Sequence, residues 1–117
     1  MKIVLLNFND PVRKRLISWF KEMNFRDVVS CNEDMETTEK FVETYHPDLL
    51  FLDTEHTDSL VSAIERLHRT FPGLTLIGLT DHYLQYVHRK LRDAGLSDYM
   101  DINDLVGKGT DYFFTKR

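Results

Sequence analysis

Three short segments built around apolar runs stand out along the chain: residues 2–7, 48–53 and 74–80. Ile3-Val4-Leu5-Leu6 forms the heart of the first, Leu49-Leu50-Phe51-Leu52 of the second and Leu74-Thr75-Leu76-Ile77 of the third. Unbroken runs of this length predict parallel strands covered on both faces, because a strand with one wet face would alternate apolar and polar positions. Two weaker segments, 28–31 and 98–100, complete a set of five. Between the runs the spacing changes to that of helices. Val12, Leu16, Trp19, Phe20 and Met23 share one stripe, with Arg13, Lys14, Arg15, Lys21 and Glu22 largely off it. Asn9-Asp10-Pro11 supplies a capping side chain and a proline where a missing amide costs nothing, and Asn24 can stop the helix. Met35, Thr38, Phe41, Val42 and Tyr45 line a second helix ending before Pro47. Leu60, Ile64, Leu67 and Phe71 line a third ending at Pro72-Gly73, and Leu84, Val87, Leu91 and Ala94 a fourth closed by Gly95.

Strict alternation of strand and helix with short connections predicts a doubly wound α/β domain, a five-stranded parallel sheet in the order 2-1-3-4-5 reached by right-handed crossovers. A chain of 117 residues suffices for one such core and is too short for two, so residues 1–117 are read as one domain. In sheets of this kind functional groups gather at the carboxyl ends of the strands, especially where the strand order reverses. Those ends carry Asn7-Phe8-Asn9-Asp10, Asp53-Thr54-Glu55-His56, Thr80-Asp81-His82 and Tyr99-Met100-Asp101-Ile102.

Charge narrows the choice of partners. Fifteen basic against 19 acidic residues leave a formal charge of -4, which offers no global attraction to nucleic acid or anionic membrane and directs attention to protein partners. The single cysteine, Cys31, rules out an internal disulfide or a multi-cysteine zinc site and is read as a small core residue in a reducing, cytoplasmic setting. No run approaches the ~20 apolar residues of a membrane span.

At the strand ends the chain resembles the receiver domains of two-component response regulators. His46-Pro47-Asp48-Leu49-Leu50-Phe51-Leu52-Asp53 is similar to the segment leading into that family's phosphoacceptor aspartate, and Asp53 falls on the acceptor position. Ile77-Gly78-Leu79-Thr80 resembles the strand bearing the family's threonine or serine, and Ala94-Gly95-Leu96-Ser97-Asp98-Tyr99-Met100 its segment before and into strand 5, so Thr80 and Tyr99 match the two switch positions. The resemblance runs from about residue 2 to 105. It implies the flavodoxin-like fold, a role in signal transduction and phosphorelay, and a protein partner: a histidine kinase, an output protein, or a second copy forming a homodimer.

The departures bear more on function than the matches. Where the family places two adjacent carboxylates that help hold magnesium, this chain has Asn7 and Phe8. Asparagine supplies a neutral oxygen and phenylalanine none, so weak or absent Mg binding is expected, and no other cofactor. Asp10 is the one carboxylate near enough in sequence to substitute, although a place beside Pro11 suits the start of a helix. The lysine that pairs with the phosphoryl group in the family is Ile102 here, the proline after it is Asn103, and the methionine-proline after the acceptor is His56-Thr57. The expectation is an atypical receiver that works by protein contact without Mg-dependent aspartyl phosphorylation. The alternative is a working phosphoacceptor at Asp53.

Each surviving residue also has a plain structural use. Asp53 can accept amides of its loop, Thr80 can cap the fourth helix, and Tyr99 can be a half-buried edge aromatic. A further alternative is a strand-end metal site built from Asp53, Glu55, His56 and His82, though their spacing matches no recognised ligand pattern. The chain carries no glycine-rich phosphate loop and no nucleophile elbow, so it is not expected to be an enzyme. Gly107-Lys108-Gly109 falls where a full fifth helix would lie, and predicts that this helix is short or irregular. Tyr83, Tyr86, Arg89 and Lys90 lie off the core stripe of the fourth helix, an aromatic and basic composition found at interface anchors.

Overall fold

The computed structural model describes residues 1–55 and 57–107. The chain runs β1 (Lys2–Leu6), α1 (Asp10–Glu22), β2 (Asp27–Cys31), α2 (Met35–Tyr45), β3 (Leu49–Asp53), α3 (Thr57–Thr70), β4 (Thr75–Thr80), α4 (Gln85–Ala94) and β5 (Asp98–Asp101), with a short helical segment at residues 102–107. All four strand pairings are parallel, and the sheet order is β2-β1-β3-β4-β5. This is the doubly wound, flavodoxin-like arrangement expected from the alternating pattern. No described helix is long and apolar enough to cross a membrane.

The sheet divides the core into two buried layers. On one face Val4, Leu6, Leu50, Leu52 and Leu76 pack against Val42 of α2, Leu60, Ile64 and Leu67 of α3, and Leu91 and Ala94 of α4. On the other, Ile3, Leu5, Leu49, Phe51, Ile77 and Leu79 meet Leu16, Trp19 and Phe20 of α1 together with Ile102 and Leu105 of the last helical segment. Alternate residues of β1, β3 and β4 therefore serve opposite layers, which is why their sequences show no polar face. Cys31 is a free, buried thiol in the first layer, as expected.

Local sequence sets the ends of these elements. Asn9 caps α1, its Oδ1 accepting from the Val12 amide at 3.0 Å. Asn24 closes the same helix in the left-handed region (φ 65°). Its amide donates to the Lys21 carbonyl and that of Phe25 to the Phe20 carbonyl, while the Phe20 and Phe25 rings meet edge-on at 5.9 Å; together these form a Schellman close. Strand β1 stops at Leu6 rather than residue 7, because Asn7 has φ 63° and the chain turns there out of strand geometry.

Candidate functional site

At the carboxyl ends of β1 and β3, Asn7 and Asp53 line one pocket of about 320 Å³ whose walls include Leu6, Met35, Leu52 and Leu60. Asp53 closes β3, and its Oδ1 accepts the Glu55 amide at 3.1 Å, the loop-amide role expected for it on structural grounds. The exposed Asn7 donates its amide to the Cys31 carbonyl at 3.0 Å, so its left-handed backbone still prolongs the β1–β2 ladder by one bond.

The next position departs from this pocket altogether. Phe8 is 2 % exposed and belongs to the α1-side core with Phe20, Phe51 and Ile102. Ile102 is itself buried in that layer. The two residues that the sequence resemblance matches to a magnesium carboxylate and a phosphate-binding lysine thus help to fill one apolar layer. Asn103 has a structural use as well, since its Oδ1 accepts from the Arg15 guanidinium at 2.9 Å and ties α1 to the segment after β5. Asp101 starts that segment by accepting the Asn103 amide at 2.7 Å. Asp10 pairs with Arg13 at 2.9 Å.

Among the residues lining this pocket Asp53 is the one carboxylate, and Asn7 offers a neutral amide oxygen. That donor set does not fit a hard divalent cation, which takes its affinity from several charged oxygens. Among the described residues no group of three or more His, Cys, Asp or Glu side chains is placed to hold a metal. Of the sequence candidates for a transition metal, His56 lies outside the described residues; so do Lys108 and Gly109 of the segment expected to shorten the fifth helix.

Thr80 and Tyr99 line a second pocket, about 410 Å³, bounded also by Glu55, Leu84, Tyr86 and Val87. Thr80 is buried, and its hydroxyl is used within its own loop, accepting the His82 amide at 3.0 Å and donating to the His82 carbonyl at 3.2 Å. It does not cap α4, whose first position follows Leu84 with no side-chain cap; the turn to His82 satisfies the hydroxyl first. Tyr99 is 4 % exposed, not half-buried, because Tyr83 stacks on it with centroids 5.2 Å apart and His88 approaches at 5.4 Å. The Tyr83 hydroxyl and His88 Nδ1 are hydrogen-bonded at 2.6 Å, which joins the two covering rings to each other.

Behind Tyr99 the sheet makes room in an unusual way. Gly78 pairs with Tyr99 across β4 and β5, and a Cβ placed on it would come 2.8 Å from Thr54 Cγ2, 3.0 Å from Leu96 Cδ2 and 3.2 Å from Tyr99 Cδ2. Thr54 is buried there and donates its hydroxyl to the Leu79 carbonyl at 3.0 Å.

The four residues expected on a partner surface divide between the flanks of α4. Tyr86 and Lys90 border the larger pocket, whereas Tyr83 and Arg89 border a groove of about 230 Å³ with Gln85, His88 and Arg92. Tyr83 belongs to the β4–α4 loop rather than to the helix, because α4 begins at Gln85. The sequence reading missed Thr54, the Tyr83–His88 cover and the Arg15–Asn103 tie. Gly78 inside an apolar run was the available signal for the first, since glycine within a strand marks close approach of other atoms.

This is the fold of CheY-like receiver domains, and solved structures with it resemble the chain at low sequence identity. A protein from Burkholderia pseudomallei K96243 described as pilus assembly-related superposes with a TM-score of 0.83 at 18% identity, over 98% of this chain and 87% of that one. The CheY-like protein TadZ from Pseudomonas aeruginosa PAO1 gives 0.76 at 16% identity, over 98% of each chain. An atypical orphan response regulator, described as revealing a phosphorylation-independent regulatory mechanism, gives 0.71 at 16% identity, over 92% of this chain and 91% of that one. No family model matches the chain, and no curated protein matches it in sequence.

Proposed function

We propose that the chain is an atypical receiver module that acts through protein contact, without enzymatic activity and without magnesium-assisted phosphorylation of Asp53. One observation carries this reading: Phe8 and Ile102 are built into the α1-side core. The charges needed to gather a metal and a phosphoryl group around an aspartate are therefore replaced by packing, and an apolar layer cannot stabilise the charge that develops during phosphoryl transfer.

The switch positions point the same way. Thr80 already has both donor and acceptor functions occupied by His82, and Tyr99 is already covered by Tyr83 and His88. A conformation held by such contacts needs no covalent trigger, because a modification shifts an equilibrium only by interacting differently with its two states. The likeness to a pilus assembly-related protein, to a CheY-like protein and to a regulator described as revealing a phosphorylation-independent mechanism supports a role in signalling or assembly through a protein partner.

Intact-mass measurement after incubation with acetyl phosphate, with and without magnesium, tests this. The expected result is an unchanged mass in both conditions. A magnesium-dependent phosphoryl adduct that is lost in Asp53→Asn would overturn the reading and restore a working phosphoacceptor.

A further inference from the structure

We infer that the trough between α2 and α3, beside Asp53, binds a free α-amino acid with an apolar side chain. This goes beyond the protein-contact reading and would give such a module a chemical input that needs no phosphoryl transfer. The pocket at Asp53 continues into a second cavity of about 350 Å³, since Asn7, Met35 and Ala63 line both. The two therefore form one trough at the carboxyl ends of β1 and β3. The strand order reverses there, and that is where doubly wound sheets open a crevice for ligands.

The halves of the trough differ in character. The half at Asp53 is walled by Leu52, Leu60 and Leu67, and its volume of about 320 Å³ suffices for a leucine- or phenylalanine-sized side chain. The other half carries both signs of charge, Glu33 and Asp34 at the start of α2 and Arg66 of α3. Among the described residues these opposite charges form no ion pair with each other. Arg66 pairs through Nε with Glu39, which also accepts the Thr70 hydroxyl at 3.4 Å. Glu39 thus anchors the guanidinium, whose terminal N–H groups have the geometry that matches the two oxygens of a carboxylate. A zwitterion answers this wall as a whole, with a carboxylate for Arg66 and an ammonium for Glu33 and Asp34 on one carbon that also bears the apolar group. A simple amine would leave Arg66 without a counterpart, and a simple acid would face two carboxylates. The interior of a protein segment fits less well, because it has no free ammonium and carboxylate on the same carbon.

The probe is free L-phenylalanine, followed by amide chemical shifts and titration calorimetry. It is compared with phenethylamine, which lacks the carboxylate, hydrocinnamate, which lacks the ammonium, and L-alanine, which lacks the apolar body. The expected result is saturable binding of phenylalanine with a dissociation constant of about 1 mM or tighter, the range open to a ligand of this size. Shifts should centre on residues 6–7, 33–38 and 60–67. Each relative should bind about tenfold more weakly or worse, having lost a charged contact or a buried apolar group. Arg66→Gln should weaken phenylalanine by about tenfold without weakening phenethylamine. Ala63→Met narrows the trough from α3 without touching a charged group and should abolish binding. Circular dichroism verifies that the variants keep the fold; should Arg66→Gln lose it along with the Glu39 pair, Ala63→Met decides. Equal binding of any of the three relatives, shifts centred elsewhere, indifference to Ala63→Met, or no saturation by about 10 mM would each overturn the inference. The acetyl phosphate measurement is independent of it. An adduct at Asp53 removes the phosphorylation-independent reading whatever phenylalanine does, and a failed titration removes the amino acid site alone.

Discussion

The Tyr83 ring lies over the Tyr99 ring, with centroids 5.2 Å apart and planes inclined by 30°. The covering residue comes from the β4–α4 loop and the covered one from the edge strand β5, so the pair fastens that loop to the sheet. Such ring pairs contribute about 0.5–1.5 kcal/mol beyond their buried area. Tyr83→Ala should therefore destabilise the fold by about 1–2 kcal/mol in urea unfolding. Tyr83→Phe keeps the stack, loses the bond to His88 and should cost about 1 kcal/mol or less. In a double-mutant cycle Tyr83→Phe and His88→Ala should be non-additive. Strict additivity would mean that their bond contributes nothing.

Gly78 gives a sharper test, because the obstruction can be removed from the other side. Gly78→Ala would set its methyl group 2.8 Å from Thr54 Cγ2, too close to be accommodated without movement. Overpacking of this sort costs about 1–3 kcal/mol. Thr54→Ser deletes that methyl and keeps a hydroxyl for the Leu79 carbonyl. The double variant should recover part of the loss in melting temperature. No recovery would place the strain with Leu96 or Tyr99 instead.

How far the sequence could be read follows from which signals are local. The runs around Leu5, Phe51 and Ile77 announced strands with two dry faces, and the stripe Leu16, Trp19, Phe20 announced a docked helix; both depend on periodicity alone. The Asn9 cap and the Asn24 stop were equally legible, since the side chain or backbone concerned acts within four residues. Pairs such as Tyr83–His88 over Tyr99, or Arg15 with Asn103, depend on which rotamers meet across the fold, and no spacing rule encodes that. At the site, the absence of charge at Phe8 and Ile102 could be read, but not that both side chains enter one core layer. Thr80 shows the opposite case. Its position before α4 suggested a cap, and a nearer amide, that of His82, took the hydroxyl.

One acid-sensitive contribution can be assigned to α2. Asp34 caps this helix, accepting the Thr37 amide at 2.8 Å, and that backbone hydrogen bond is the main cause holding its carboxyl below the ordinary value of 3.8. The unfolded chain then binds more protons here than the folded one. The contribution is present above the unfolded value and is lost as pH falls through the lower folded value. Asp34→Asn retains an accepting oxygen and removes the titration. Its stability difference from the parent should shrink as the pH drops below about 4, measured by urea unfolding across pH 2.5–6. A constant difference would show that Asp34 titrates alike in both states.

The most informative substitutions put back what the receiver family has. Phe8→Asp and Ile102→Lys restore a carboxylate and a lysine in the chain but not in the pocket, because both positions lie in the α1-side core. Each would place a charge in an apolar layer or force the side chain outward and leave a cavity, and truncating a buried phenylalanine alone costs about 3–5 kcal/mol. Phe8→Asp should lower stability by at least that amount without conferring magnesium binding. Ile102→Lys should cost somewhat less, since a lysine at the start of the short segment 102–107 can extend its ammonium to solvent along an apolar stem. The double variant would then be a weakly stable protein that still takes no phosphoryl group from acetyl phosphate. Calorimetry with magnesium and intact-mass labelling measure the two properties separately. If Phe8→Asp instead bound magnesium with little loss of stability, position 8 would be able to turn into the Asp53 pocket, and the packing argument against phosphorylation would fall with it.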